Sequence, residues 1–202
     1  GFDPSTYHTA PGGEKPPIDK PYFYFVGRLE HKKNIVRMLE AFGQFKEQTG
    51  LPHQFIFAGR PGYGYNVIES AHEKLGQWKT EVHFLGFTPQ DKAAHYLRQA
   101  EALVFTTLFE GFGFPVLESF ASGTPVIASN TTSLPEVAGD AALLVEPTDT
   151  NAIANAMNRV AIDKDLRQSL ITKGGKRYRE FSWDKAARET LKVIEKIGKS
   201  DA

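Results

Sequence analysis

The 202-residue chain contains no cysteine. That excludes a disulfide framework, a thiolate metal site and a cysteine nucleophile, and it fits a reducing compartment. Charge of neither sign is in excess, because 24 Lys and Arg offset 24 Asp and Glu. A general nucleic-acid binder carries a basic surplus, so no nucleic-acid partner is expected. Long apolar runs are also missing. Ala102–Phe109, among the longest, includes two threonines and falls far short of the roughly 20 residues of a membrane helix. No signal-peptide pattern is present, and a cytoplasmic location is the expectation.

Several catalytic signatures are absent too. The first apolar strand ends in Val26-Gly27-Arg28-Leu29 rather than GxGxxG, which argues against a nicotinamide or flavin cofactor. Gly198-Lys199-Ser200 resembles the tail of a P-loop, but Val193 stands where the first glycine belongs. Asp163-Lys164-Asp165 spells a metal-binding DxD string, yet it falls between two helical patterns and reads as a solvated junction. The sequon Asn130-Thr131-Thr132 has meaning only in a secreted chain. The six histidines show no metal-ligand spacing, His83 reads as structural, and there is no GxSxG elbow. No metal and no cofactor are expected.

What is present is an ordinary globular composition, 41% hydrophobic and 24% charged, enough for a core and inconsistent with disorder. Residues 1–21 are rich in Pro and Gly and read as a linker or lead-in. Residues 22–181 alternate strand, glycine and helix. Strands are predicted at Tyr22–Val26, Phe55–Ala58, Val82–Leu85, Ala102–Thr106, Pro125–Ala128 and Ala142–Val145. Helices are predicted over Asn34–Gln48, within Asn66–Leu75, from a Thr88 cap to Gln99, and over Pro115–Ser122, Asp149–Ile162 and Leu166–Phe181. Residues 182–202 carry a last helix capped by Ser182. This pattern predicts an α/β fold with a doubly wound parallel sheet of about six strands. Ligands of such sheets sit at the carboxyl ends of the strands, so chemistry is sought in the loops after Val26, Ala58, Leu85, Thr106 and Ala128.

Two of those loops stand out. After the first strand, Arg28 and Lys33 flank the start of a helix. A cation there opposes the helix dipole, but it suits an anion that the helix N-terminus also attracts. Arg offers a planar fork and Lys a point charge, a pair matched to a diphosphate. Two solvated surface cations would read the same in sequence. After the fourth strand comes Glu110-Gly111-Phe112-Gly113-Phe114-Pro115-Val116-Leu117-Glu118. Gly111 and Gly113 allow a backbone to approach a ligand, and Pro115 can open a helix with free amides. Carboxylates beside an anion site, here Glu110 and Glu118, can accept hydrogen bonds from hydroxyls. A plain glycine turn with a capping acid is the competing explanation.

Together these segments resemble the donor-binding half of a retaining glycosyltransferase of family 4, whose enzymes have two Rossmann-like domains in the GT-B arrangement. The resemblance runs in order from Gly1-Phe2-Asp3-Pro4 through Gly27-Arg28-Leu29 with Lys33-Asn34, Phe84-Leu85-Gly86-Phe87, and the E-x7-E pair Glu110 and Glu118. It continues through Ala121–Val126 and Ser133–Gly139 to Phe181-Ser182-Trp183.

The resemblance implies a nucleotide-diphosphate-sugar donor, GDP-mannose or a UDP-sugar, with GDP-mannose favoured. Arg28 and Lys33 would neutralise the diphosphate and stabilise it as it leaves, in place of a metal ion. Gly27 belongs to the same segment. The amides of Gly111, Phe112, Gly113 and Phe114 would meet sugar and phosphate, Glu110 the sugar hydroxyls and Glu118 the ribose. The base would lie near Gly86, Phe87 and Gly59. The acceptor, a glycan or lipid-linked sugar, would be held by an N-terminal domain to which nothing here corresponds. The chain would then be a C-terminal domain with little transferase activity alone, and the intact enzyme could work at the membrane face. Three alternatives remain at this stage: a UDP-sugar transferase domain, a non-catalytic nucleotide-binding module, and a glycoside hydrolase using Glu110 and Glu118. A phosphosugar epimerase is disfavoured by the EGFG string.

Overall fold

The computed structural model describes residues 2–8 and 18–200, with residues 8 and 198–200 described by backbone alone. Nine α-helices and six strands are present among the described residues. In chain order they are α1 (Ser5–His8), β1 (Tyr22–Val26), α2 (Ile35–Thr49), β2 (Gln54–Ala58), α3 (Tyr65–Glu73), β3 (Val82–Gly86), α4 (Gln90–Gln99) and β4 (Ala102–Phe105). Then follow α5 (Phe114–Ser122), β5 (Val126–Ser129), α6 (Leu134–Ala138), β6 (Leu143–Val145), α7 (Thr150–Ile162), α8 (Lys164–Arg177) and α9 (Trp183–Ser200). All strand pairs are parallel, in the order β3-β2-β1-β4-β5-β6. The Rossmann-like doubly wound sheet is therefore as expected, and the order reverses between β1 and β4.

The central strands are almost wholly apolar because both of their faces are covered. Phe23, Tyr24, Phe25, Phe55, Ile56 and Phe57 are fully buried. Phenylalanines stack along and across them, Phe55 on Phe57 at 4.2 Å and Phe25 on Phe105 at 5.9 Å between ring centres. On α2, the residues Ile35, Met38, Leu39, Phe42 and Phe45 recur at helical spacing and are all buried. Helices α2, α3 and α7 pack together as one group, and α1, α4, α5 and α8 as another. No described helix is long and apolar enough to cross a membrane.

Several boundaries differ from expectation. Pro89, not Thr88, precedes α4 as its cap residue. Asp163 of the DxD string accepts the Leu166 amide at 2.8 Å, so it caps α8 at the junction with α7. Gly198-Lys199-Ser200 continues α9 rather than following a strand. Part of the lead-in is built into the fold: Phe2 and Tyr7 are buried, and α1 packs against α4 and α5. Residues 9–17 of that lead-in lie outside the described residues.

One buried group makes stability depend on pH. His53 is wedged between Phe23, stacked at 5.3 Å, and Phe45, edge-on at 5.5 Å. Neither ring nitrogen has a hydrogen-bond partner. Burial, and then the nearby Lys46 and Arg167 charges, lower its pKa from 6.5 to about 4. Between those values the unfolded chain binds more protons than the folded one, so stability falls as pH drops through that window. His53→Phe is expected to remove this loss. Chemical denaturation at neutral and mildly acidic pH should show the variant changing less than the parent, with a gain of about 1–2 kcal/mol at the acid end.

Candidate functional site

The carboxyl ends of β1, β2 and β3 are joined by backbone contacts that leave little room for side chains. Gly27 N–H donates to Ala58 O at 3.0 Å, and Gly59 N–H donates to Gly86 O at 2.8 Å. A Cβ on Gly59 would stand 1.8 Å from Gly27 O, so no side chain fits there. The ladder extends into the loops, with Leu29 N–H on Arg60 O at 2.9 Å and Gly62 N–H on Leu29 O at 2.8 Å. Over this ledge opens a cavity of about 460 Å³, walled by Gly27, Arg28, Gly59, Arg60 and Phe87. Phe87 is exposed, and the Arg60 guanidinium lies 4.7 Å from its ring centre. A second cavity, of about 300 Å³, adjoins it through Val26, Phe87 and Thr88, and is closed by Tyr7, Gln90 and Glu118.

The cationic segment behaves differently from expectation in one respect. Lys33 does not begin a helix. It ends a short 3-10 turn, His31–Lys33, and Asn34 separates that turn from α2 in a left-handed conformation, φ 61°. Asn tolerates this region better than most residues. Lys33 Nζ instead meets Glu110 at 2.5 Å, with both side chains largely shielded, and lies 5.2 Å from the centre of the Phe105 ring. The cation that seemed misplaced beside a helix dipole thus has its counter-charge in the loop after β4.

That loop is held from two sides. Leu108 N–H donates to Lys32 O at 2.9 Å. The Ser133 hydroxyl lies 3.0 Å from both Glu110 O and Phe112 O, a shared donor just ahead of α6. Gly113 has φ 104°, and a Cβ there would stand 2.5 Å from Leu134 Cδ2. The helix that follows opens with Phe114-Pro115, one residue earlier than expected, with Gly113 as its cap residue.

Glu118 lies farther into α5 than its first-turn amides. Its partner is the Tyr7 hydroxyl. Burial raises the Glu118 pKa above the usual carboxylate range, and the hydrogen bond from Tyr7 opposes that rise. The structure thus gathers Gly27, Arg28, Gly59 and Phe87 around one cavity and places Glu118 on its neighbour. It pairs Lys33 with Glu110, and uses Gly86 to anchor the ledge. Glu110 and Glu118 have different surroundings, one beside a lysine and the other beside a tyrosine.

Four residues of this region have no role assigned from the sequence: Tyr7, Asn34, Arg60 and Ser133. Arg60 follows the second strand and was findable by the strand-end rule. The other three act through contacts with residues distant in sequence.

The family model described as glycosyl transferases group 1 matches residues 10–177. The chain belongs to this family. It is 31% identical over 170 residues to the O-antigen chain mannosyltransferase B of Escherichia coli, covering 84% of this chain and 44% of that protein. It is 35% identical over 168 residues to the MMP alpha-(1->4)-mannosyltransferase of Mycolicibacterium hassiacum, covering 81% of this chain and 40% of the relative. It therefore spans less than half the length of these curated relatives. Among solved structures, sucrose-phosphate synthase of Thermosynechococcus elongatus superposes with a TM-score of 0.76 at 27% identity, covering 91% of this chain and 47% of that one. An Escherichia coli structure described as trehalose-6-phosphate bound with UDP-2-fluoro glucose gives 0.80 at 18% identity, covering 95% and 50%. That second likeness establishes the shared fold.

The Gly59 contact carries a prediction. Gly59→Ala sets a methyl group against a backbone carbonyl, which cannot rotate away as a side chain could. A loss of about 3 kcal/mol is expected, in the range of severe overpacking, measurable by urea denaturation. Gly111→Ala, where nothing stands within 4 Å of the added Cβ, is the control and should change little.

Proposed function

We propose that this chain is the donor-binding domain of a retaining, metal-independent glycosyltransferase of family 4, one half of a GT-B enzyme, using GDP-mannose. One observation carries the reading. The strand order reverses between β1 and β4, and the cationic segment after β1 meets the glycine loop after β4 at that crevice, through Lys33 and Glu110. Doubly wound sheets bind their ligands at such a switch point. The mannosyl donor is supported by the mannosyltransferases among the relatives.

In this reading the base and ribose lie over the β1–β3 ledge, near Gly59, Gly86 and Phe87, with Glu118 accepting from the ribose hydroxyls. The diphosphate reaches Arg28 and Lys33. Its arrival exchanges one anion for another on Lys33 and frees Glu110. The released carboxylate then accepts from hydroxyls of the donor sugar, and the amides of Gly111–Phe114 border the sugar and phosphate. As the bond from the anomeric carbon to the diphosphate oxygen breaks, negative charge grows on the leaving group. The two cations stabilise it there, in the role a metal ion has elsewhere. The acceptor, a glycan or lipid-linked sugar, is bound by another domain of the intact enzyme.

Calorimetry with GDP, GDP-mannose, UDP and UDP-glucose, in the absence of added metal, tests this. GDP and GDP-mannose should bind more tightly than their uridine counterparts. A preference for uridine would redirect the donor assignment, and no binding by any of the four would remove the site. Lys33→Ala and Arg28→Ala should each weaken GDP by about 2–5 kcal/mol, as for truncating one partner of a close charge pair. Glu110→Gln should do the opposite for the bare nucleotide, strengthening GDP about three- to tenfold by removing a competitor for Lys33. The same variant should weaken GDP-mannose relative to GDP.

A further inference from the structure

The cavity beside Glu118 has a wall that comes from outside the strand-and-helix repeat. Tyr7, on α1, is buried and stacks on Phe2 at 6.0 Å between ring centres. Its carbonyl accepts from Arg98 Nη2 at 2.7 Å. Its hydroxyl accepts from Gln90 Nε2 at 3.3 Å and is hydrogen-bonded to the Glu118 carboxyl. A directed chain results, in which the Gln90 amide donates to the Tyr7 hydroxyl and the hydroxyl donates to the carboxylate. All three residues line the same cavity of about 300 Å³.

We infer that Tyr7 is a positioning residue for nucleotide recognition, its hydroxyl holding the Glu118 carboxylate so that the remaining lone pairs face the ribose diol. The inference rests on the assignment of Glu118 to the ribose made above, and it deepens that assignment. A carboxylate on a helix can turn about its side-chain torsions. One fixed by a buried phenol is already oriented when the ligand arrives, which lowers the ordering cost of binding. The phenol also bears on ionisation. Only the ionised carboxylate can accept from two ribose hydroxyls and a phenol together. The titratable groups facing Glu118 are Tyr7 from α1 and Tyr24 from β1, while Arg98 of α4 is engaged with the Tyr7 backbone. Burial opposes the charge, so a donated hydrogen bond helps to keep Glu118 ionised.

The test is calorimetry on the 202-residue chain with GDP or UDP, whichever the parent binds, and with its 2′,3′-dideoxy analogue, from roughly pH 5 to pH 8. Tyr7→Phe keeps the ring and its packing, and melting curves confirm that it folds. The parent should prefer the ribose form. Tyr7→Phe should weaken that form about tenfold, the worth of one hydrogen bond at the upper end of its range, and leave the dideoxy form unchanged. Its loss of affinity on the acid side should set in at higher pH, because Glu118 protonates more readily without its donor. Tyr24→Phe, which removes a buried hydroxyl that has no hydrogen-bond partner, should match the parent. Parent-like affinity and pH profile in Tyr7→Phe would overturn the inference alone. So would an equal loss for both nucleotides, which marks a packing role, or the same effect from Tyr24→Phe. A parent indifferent to the ribose hydroxyls overturns the Glu118 assignment and Tyr7 with it, and a parent that binds no nucleotide overturns the functional reading beneath both.

Discussion

Asn34 ties the switch point together. Its side-chain amide donates to Thr106 O at 2.8 Å and to Pro147 O at 2.7 Å, so one buried group joins the loop after β1 to the ends of β4 and β6. Its Oδ1 accepts from Arg37 at 3.1 Å, and its own carbonyl accepts the Met38 amide. Both arms of the side chain are satisfied, which is the condition for burying an amide without penalty. The left-handed turn at this residue lets Lys33 lie across the Phe105 ring toward Glu110, while α2 starts afresh behind it. Asn34 thus adds to the Leu108–Lys32 hydrogen bond and the Lys33–Glu110 pair, and it alone of the three also reaches the end of β6.

From that anchor the region divides into two parts with different physics. The ledge over β1–β3 is made of backbone. Gly27, Gly59 and Gly86 bring the chain close enough that hydrogen bonds between loops replace side-chain packing. A flat ligand could rest on it with Phe87 and Arg60 at its rim. The crevice between β1 and β4 is made of charge, a shielded lysine and carboxylate under a glycine loop clamped by Ser133. A rigid sheet supports both, so their separation is fixed by strand spacing rather than by loop conformation.

The fold was largely legible in the sequence, for a reason visible in β1. A run such as Tyr22–Val26, apolar at every position, has no comfortable place except the middle of a parallel sheet. The six strands were found to within a residue or two, and strand-glycine-helix punctuation fixed the doubly wound class. For the candidate site, position at the strand ends was legible and the contacts were less so. Arg28, Glu110, Gly113 and Phe87 stand where strand ends put them. Periodicity does not reveal that Lys33 pairs with Glu110, 77 residues away, or that Asn34 interrupts the helix it was expected to start. The Pro- and Gly-rich opening concealed α1 for the same reason. Four helical residues show no period, and only the burial of Phe2 and Tyr7 against α4 and α5 gives that segment a place in the fold.

The ion pair at the crevice has a consequence for selectivity. A carboxylate fixed 2.5 Å from an ammonium group is a resident competitor at a high effective concentration. Chloride or inorganic phosphate from solution must displace it while giving it nothing in return. A ligand that carries hydroxyl groups beside its phosphates offers the displaced carboxylate a new set of donors. On the proposed reading, the crevice discriminates by what else an anion brings with it, because the protein's own tethered carboxylate competes with small anions for Lys33.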